Sequence, residues 1–96
     1  VNTNASADML TLLKAQTRTG KIPSGIPSGV ETANKTGELS AGDGLGVVEN
    51  DIAIVFDKEH PYVLCVLSNN IRNNSSAQET IQKISADVYQ YMTSRK

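Results

Sequence analysis

The sequence predicts an α+β fold in which a three-stranded antiparallel sheet is flanked by a helix near each end of the chain. Two observations on the strands and one on the closing helix predict it. Residues 47–56 and 62–68 are compact apolar runs of strand length, separated by turn-forming residues. Residues 76–93 place Ala77, Ile81, Ile84, Val88, Tyr91 and Met92 on one helical stripe.

The first helix is expected over 5–16. Asn4 or Ser6 can cap it, because a short polar side chain accepts from the free N–H groups of the first turn. Ala5, Met9, Leu12, Leu13 and Gln16 share overlapping faces, Leu10 widens the stripe, and Gly20 offers a stop. Residues 22–29 hold two prolines and read as a rigid connector, since proline fixes φ and removes a donor. The first strand is expected over 30–38.

Gly42, Asp43, Gly44 and Gly46 then supply the positions of a tight reversal. Their spacing is not that of a dinucleotide loop, because a strand follows where that loop needs a helix. In the second strand, 47–56, Ile52, Ile54 and Phe56 fall on one face and Ala53 and Val55 on the other. Both faces are therefore expected to be covered. The third strand, 62–68, is also apolar on both faces, and its Cys65 is expected to be a packed thiol. The last helix opens at Ser76-Ala77-Gln78-Glu79, which has capping-box spacing.

The chain has 96 residues, enough for one small domain. It divides into a helix and connector, 1–29, and the sheet with its closing helix, 30–96. Nine basic and ten acidic residues give a net charge of −1, which offers no pull toward nucleic acid or anionic lipid. One cysteine excludes an intrachain disulfide, and no apolar run is long enough to cross a bilayer. The sequence opens directly before a helical pattern and without Met, so it is expected to be a piece of a longer protein.

The second half of the first strand reads Asn34-Lys35-Thr36-Gly37-Glu38. Lysine is a compact cation that favours a carboxylate and steadies anionic species beside it. Thr36 can donate a hydrogen bond to the same carboxylate, and Gly37, with no Cβ, lets a ligand backbone approach the strand. Lys-Thr-Gly is one of the three short motifs of penicillin-recognising serine enzymes. With Ile22-Pro23-Ser24-Gly25 upstream, Glu49-Asn50-Asp51-Ile52-Ala53 downstream and a closing helix, the order of elements resembles the C-terminal third of a class A beta-lactamase. The resemblance covers nearly the whole chain.

The resemblance implies part of the beta-lactamase/transpeptidase fold and a parent serine hydrolase that opens beta-lactam amides through an acyl-serine. Lys35, Thr36 and Gly37 would line the site, and the Glu38 backbone N–H would be one of two oxyanion-hole donors. Many class A enzymes add an arginine near this strand. The neighbouring strand has none, and Arg72 is the candidate by sequence. Ser-x-x-Lys and Ser-Asp-Asn, which carry the nucleophile and its partner, do not occur in these residues, so this chain alone is expected to be inactive.

A D-alanyl-D-alanine peptidase-like cell-wall hydrolase and a non-catalytic peptidoglycan- or protein-binding module are the alternatives. The expected partners are a small beta-lactam or peptidoglycan-type substrate and the missing N-terminal part, acting outside the cytoplasm. No cofactor is expected, and His60 has no second histidine for a metal pair. His60 reads as a surface turn residue, and Glu49 and Asp51 as a solvated pair at a strand end. The family sheet has two further strands beside 62–68, so that strand is expected to drive self-association.

Overall fold

The computed structural model describes residues 3–39, 48–69 and 73–94. The elements are helix α1 (Thr3–Lys14), a 3-10 turn (Ile22–Gly25), strands β1 (Thr32–Leu39), β2 (Val48–Val55) and β3 (Tyr62–Val66), and helix α2 (Asn74–Ser94). The strands form one antiparallel sheet in the order β1-β2-β3, so β1 and β3 are its edges. The α+β class and all five expected elements are present. The glycine-rich turn at 42–46 and Arg72 lie outside the described residues.

The helix starts differ from expectation. α1 begins at Thr3, which places Asn4 and Ser6 inside the helix and not at its cap. α2 begins two residues before Ser76. Its cap is Asn73, whose side-chain oxygen accepts from the Ser76 N–H at 2.8 Å and whose carbonyl accepts from the Ala77 N–H. An Asn three residues ahead of Ser76 offers the same acceptor one turn earlier, and the longer helix gains hydrogen bonds by using it.

The two faces of the sheet have opposite fates. Cross-strand pairing puts Asn34, Thr36 and Glu38 on one face with Glu49, Asp51, Ala53, Val55, Leu64 and Val66. α2 and the 3-10 turn seal this face, and Ile22, Ala53 and Ile81 form its core with Leu64 and Val66 packed against them. Residues 22–25 are therefore no mere connector, since Ile22 is fully buried. On α2 the buried line runs through Ile81 and Ser85, while Ile84 and Tyr91 of the expected stripe are exposed.

The other face carries Ala33, Lys35, Gly37, Ile52, Ile54, Val63 and Cys65 and is mostly open. α1 buries no residue, and Met9 and Leu12 point away from the sheet. A cross-link from Lys14 to Glu31 at 3.1 Å, with the ammonium 4.6 Å from the centre of the Phe56 ring, holds its last turn. Ile52 and Val63 remain 47% and 64% exposed, which corrects the expectation that both faces are covered. Cys65 is exposed on the same face and is not a packed thiol. Apolar residues on both faces of a strand predict cover on both only when the covering layer is in the same chain.

The turn and α2 are joined by backbone proximity. The Ser85 hydroxyl donates to the Ile22 carbonyl at 2.7 Å, and the Gln82 amide donates to the Gly20 carbonyl. A Cβ on Gly25 would lie 2.8 Å from the Ser85 Cβ and 2.9 Å from the Ala86 nitrogen, and would also strike the Gln82 carbonyl. Gly25→Ala should therefore lower unfolding free energy by about 1–3 kcal/mol, the usual cost of overpacking. Denaturant titration measures it. Wild-type stability in this variant would show that the turn can draw back from α2 at no cost.

Candidate active site

The site expected from Lys-Thr-Gly lies on the free edge of the sheet. The Phe56 N–H donates to the Glu31 carbonyl at 2.9 Å, which makes Glu31 and Phe56 a bonded pair. Antiparallel partners alternate between bonded and non-bonded pairs. Residues 33, 35 and 37 therefore bond to β2, and the backbone groups of 34, 36 and 38 point off the edge. Three hydrogen bonds agree. The outward Thr36 carbonyl accepts from Lys35 Nζ at 2.7 Å. Glu49, opposite Glu38, turns its own N–H and carbonyl to the Ser68 hydroxyl, away from β1. The Glu38 N–H thus stands at an open edge.

Lys35 sits on the open face, opposite Ile52. Among the described residues it has no carboxylate within ion-pair distance. Gly37 is equally unencumbered: an added Cβ would meet only the Asn50 Cβ, at 3.9 Å, an ordinary contact. The fold itself does not require glycine at this position.

Strand alternation sends Thr36 to the opposite, sealed face from Lys35. There the structure holds a charged cluster that sequence reading missed. Glu49 and Asp51 are each 1% exposed, so they are not a solvated strand-end pair. Their partners come from elsewhere in the chain. Lys21, 3% exposed, places Nζ 2.8 Å from Glu49 Oε1, 3.2 Å from Glu38 Oε1 and 2.9 Å from the Asn50 carbonyl. Asn74 and Gln78 of α2 donate to the two Glu49 oxygens. Asp51 accepts from the Ile22 N–H at 3.0 Å and from the Asn34 amide at 3.2 Å. The hint was available: two acids on the face shared with Ala53 and Val55 need a buried cation, and Lys21 stands directly before Ile22.

Two cations converge on Glu38. Lys21 takes Oε1, Arg18 takes Oε2 at 3.3 Å, and Thr36, two residues back on the same face of β1, borders the same carboxylate. A cleft of about 240 Å³ opens beside them, lined by Arg18, Gly20, Lys21, Thr36, Glu38 and Gln78. Burial by itself would raise the Glu38 carboxyl, but Thr36, Lys21 and Arg18 outweigh it and hold the group below its ordinary range. Asp51 goes the other way. Its desolvation exceeds the help from Asn34, the Ile22 N–H and Lys21, so its carboxyl is raised.

His60 is the expected turn residue. Its backbone N–H donates to Asp57 at 3.0 Å, and its ring lies 3.9 Å from that carboxylate. Among the described residues no group of three or more His, Cys, Asp or Glu could hold a metal ion.

A family model described as the beta-lactamase enzyme family matches residues 1–92. The chain belongs to the beta-lactamase enzyme family. No curated protein matches it. Among solved structures, "Structure of PBP-A" superposes with a TM-score of 0.85 at 22% identity, covering 99% of this chain and 34% of that one. An ancestral class A beta-lactamase gives 0.79 at 20% identity, covering 95% of this chain and 34% of its own. A halotolerant bacterial beta-lactamase gives 0.75 at 21% identity, covering 97% and 35%. These likenesses establish a class A beta-lactamase fold, of which the chain spans about a third of the neighbours' length.

Within this beta-lactamase-family chain, Lys21 is the cation that the buried acids depend on. Lys21→Met leaves Glu49 buried without a counter-charge and should cost about 3–5 kcal/mol. Arg18 is 72% exposed in its side chain, and Arg18→Ala should cost about 0–1 kcal/mol. Thermal and denaturant unfolding of the two variants measure the contrast. Equal losses would mean that Lys21 is not the cation on which burial of Glu49 rests.

Proposed function

We propose that this chain is the sheet-side part of a serine hydrolase that opens beta-lactam or peptidoglycan-type amides through an acyl-serine intermediate. The observation that carries the reading is a Lys-Thr-Gly-Glu edge on which Lys35 meets no carboxylate among the described residues and the Glu38 N–H points outward, in a chain of this family. Lys35 would favour anionic species at the edge, and the Glu38 N–H would donate to the oxyanion of the tetrahedral intermediate. Gly37 would let the substrate backbone lie along β1. The nucleophile would come from a part of the protein outside these residues.

The test compares the chain with the complete protein that carries it. The chain alone should take up no fluorescent penicillin, while the complete protein should form a covalent adduct seen by mass spectrometry. In the complete protein, Lys35→Ala should slow acylation about 10²-fold, the usual scale for removing preorganised electrostatic stabilisation. Gly37→Ala should leave the melting temperature near wild type and still slow acylation, because among the described residues the added methyl meets only the Asn50 Cβ, at an ordinary 3.9 Å, while it would stand in the way of a ligand at the edge. An adduct on the chain alone, or acylation within a few fold of wild type in Lys35→Ala, would overturn the assignment. A non-catalytic binding module on the same fold is the second reading. Glu38 favours it, since a carboxylate beside the motif repels anionic substrates.

The open surfaces support association of the chain by itself. β3 is a sheet edge bearing Val63 at 64% exposure on the open face, and just beyond it Leu67, 74% exposed, lines a cavity together with the exposed Ile84 of α2. An unpaired apolar edge templates strand addition, and a second copy is the partner always present. Light scattering at micromolar concentration should give a dimer or larger. A 10.3 kDa monomer would count against this arrangement.

A further inference from the structure

We infer that the Glu38 side chain is a built-in occupant of an anion subsite made by Arg18, Lys21 and Thr36, and that it makes the adjoining cleft select ligands whose neighbouring group is neutral or cationic.

The first argument is saturation. An ammonium has three N–H donors, and Lys21 spends them on Glu38, Glu49 and the Asn50 carbonyl. Nothing remains for an incoming carboxylate unless Glu38 leaves. The second argument is occupancy. Each Glu38 oxygen has its own cation, Lys21 on Oε1 and Arg18 on Oε2, and Thr36 lines the cleft beside them. That is the arrangement a bound carboxylate would adopt, already filled from within the chain. The third is charge. Two cations, Arg18 and Lys21, are already balanced by Glu38 and Glu49, so the cleft offers an anion no net attraction.

The geometry also explains why Glu38 is the displaceable member. Its side chain is 28% exposed and borders the cleft, whereas the Glu49 side chain is 1% exposed. Neutralising Glu38 frees one Lys21 donor and the Arg18 fork while Glu49 still compensates Lys21. The meaning for substrates rests on the proposed function. An amide-opening enzyme with this cleft would favour a substrate carrying a primary amide or an amine, and not a free carboxylate, beside the bond it attacks.

The experiment has two arms, both on the complete protein. In the first, acetate is titrated into wild type and Glu38→Gln, with the Thr36 and Lys21 amide resonances as readout and acetamide as the neutral control. Glu38→Gln should bind acetate about tenfold tighter than wild type, or ~1.4 kcal/mol. Adding Arg18→Ala should remove most of that gain. Saturable acetate binding at Thr36 in wild type overturns the inference, and this measurement needs no variant to fold. Equal acetate affinity in wild type and Glu38→Gln overturns it as well.

In the second arm, acylation rates are compared for a substrate bearing a carboxylate and for its primary amide. The carboxylate-to-amide ratio should rise about tenfold in Glu38→Gln, and an unchanged ratio overturns the specificity claim. Acetate binding requires no acylation, so absence of any acyl adduct would sink the proposed function while the first arm still decides the subsite.

Discussion

The Lys21 ammonium is the interaction on which the arrangement of this chain depends. It lies at the point where the 3-10 turn, β1, β2 and, through Glu49, the first turns of α2 meet. The apolar core around it is small, with Ile22, Ala53 and Ile81 as its buried members. Contacts among an alanine and two isoleucines have little directional content. Hydrogen bonds to Glu49, Glu38 and the Asn50 carbonyl are directional, and they fix how the turn approaches the sheet. A buried ion pair is a weak source of net stability against an apolar replacement, because desolvation offsets its attraction. Its contribution here is geometric: Ile22 enters the core directly after Lys21, and the Ile22 N–H is held by Asp51.

That geometry explains why the two faces of one sheet behave so differently. The sealed face is closed by direct hydrogen bonds from α2 to the turn and by Gly25, whose missing side chain lets the two backbones meet. Among the described residues the open face has only α1, held by Lys14 at its last turn and burying no side chain of its own. β1 separates the two environments. Its residues therefore alternate between a fixed charged network and an open, largely apolar surface on which Lys35 stands.

The sequence made the elements and their order legible, because strand length, helical stripes and turn residues are local properties. It also made the Lys-Thr-Gly edge legible, because that motif is contiguous. It did not reveal Lys21, Arg18 and Asn34, whose roles depend on a turn folding back across 17 to 29 residues of chain. Periodicity could say that Glu49 and Asp51 share a face, but not that the face is buried. The exposure of Val63 and Cys65 escaped for the opposite reason. An apolar side chain records a surface suited to cover and is silent on which chain supplies it. Ser85 replaced Ile84 on the buried line of α2 because a hydroxyl could bond the Ile22 carbonyl where a larger side chain had no room beside Gly25.

Residue 38 joins these two levels. Its backbone N–H leaves the sheet edge whatever side chain it carries, because the antiparallel register sets that direction. Its side chain turns to the sealed face and enters the Lys21 network. Donor and carboxylate are thus governed by different constraints, the first by strand pairing and the second by charge balance. A change of side chain at this position can retune which ligands the cleft accepts while the register keeps the N–H in place. The reverse does not hold: a change that shifted the register would move the donor and the charged cluster together. The carboxylate at position 38 is therefore the more easily varied feature, and the outward donor is the one that the fold protects.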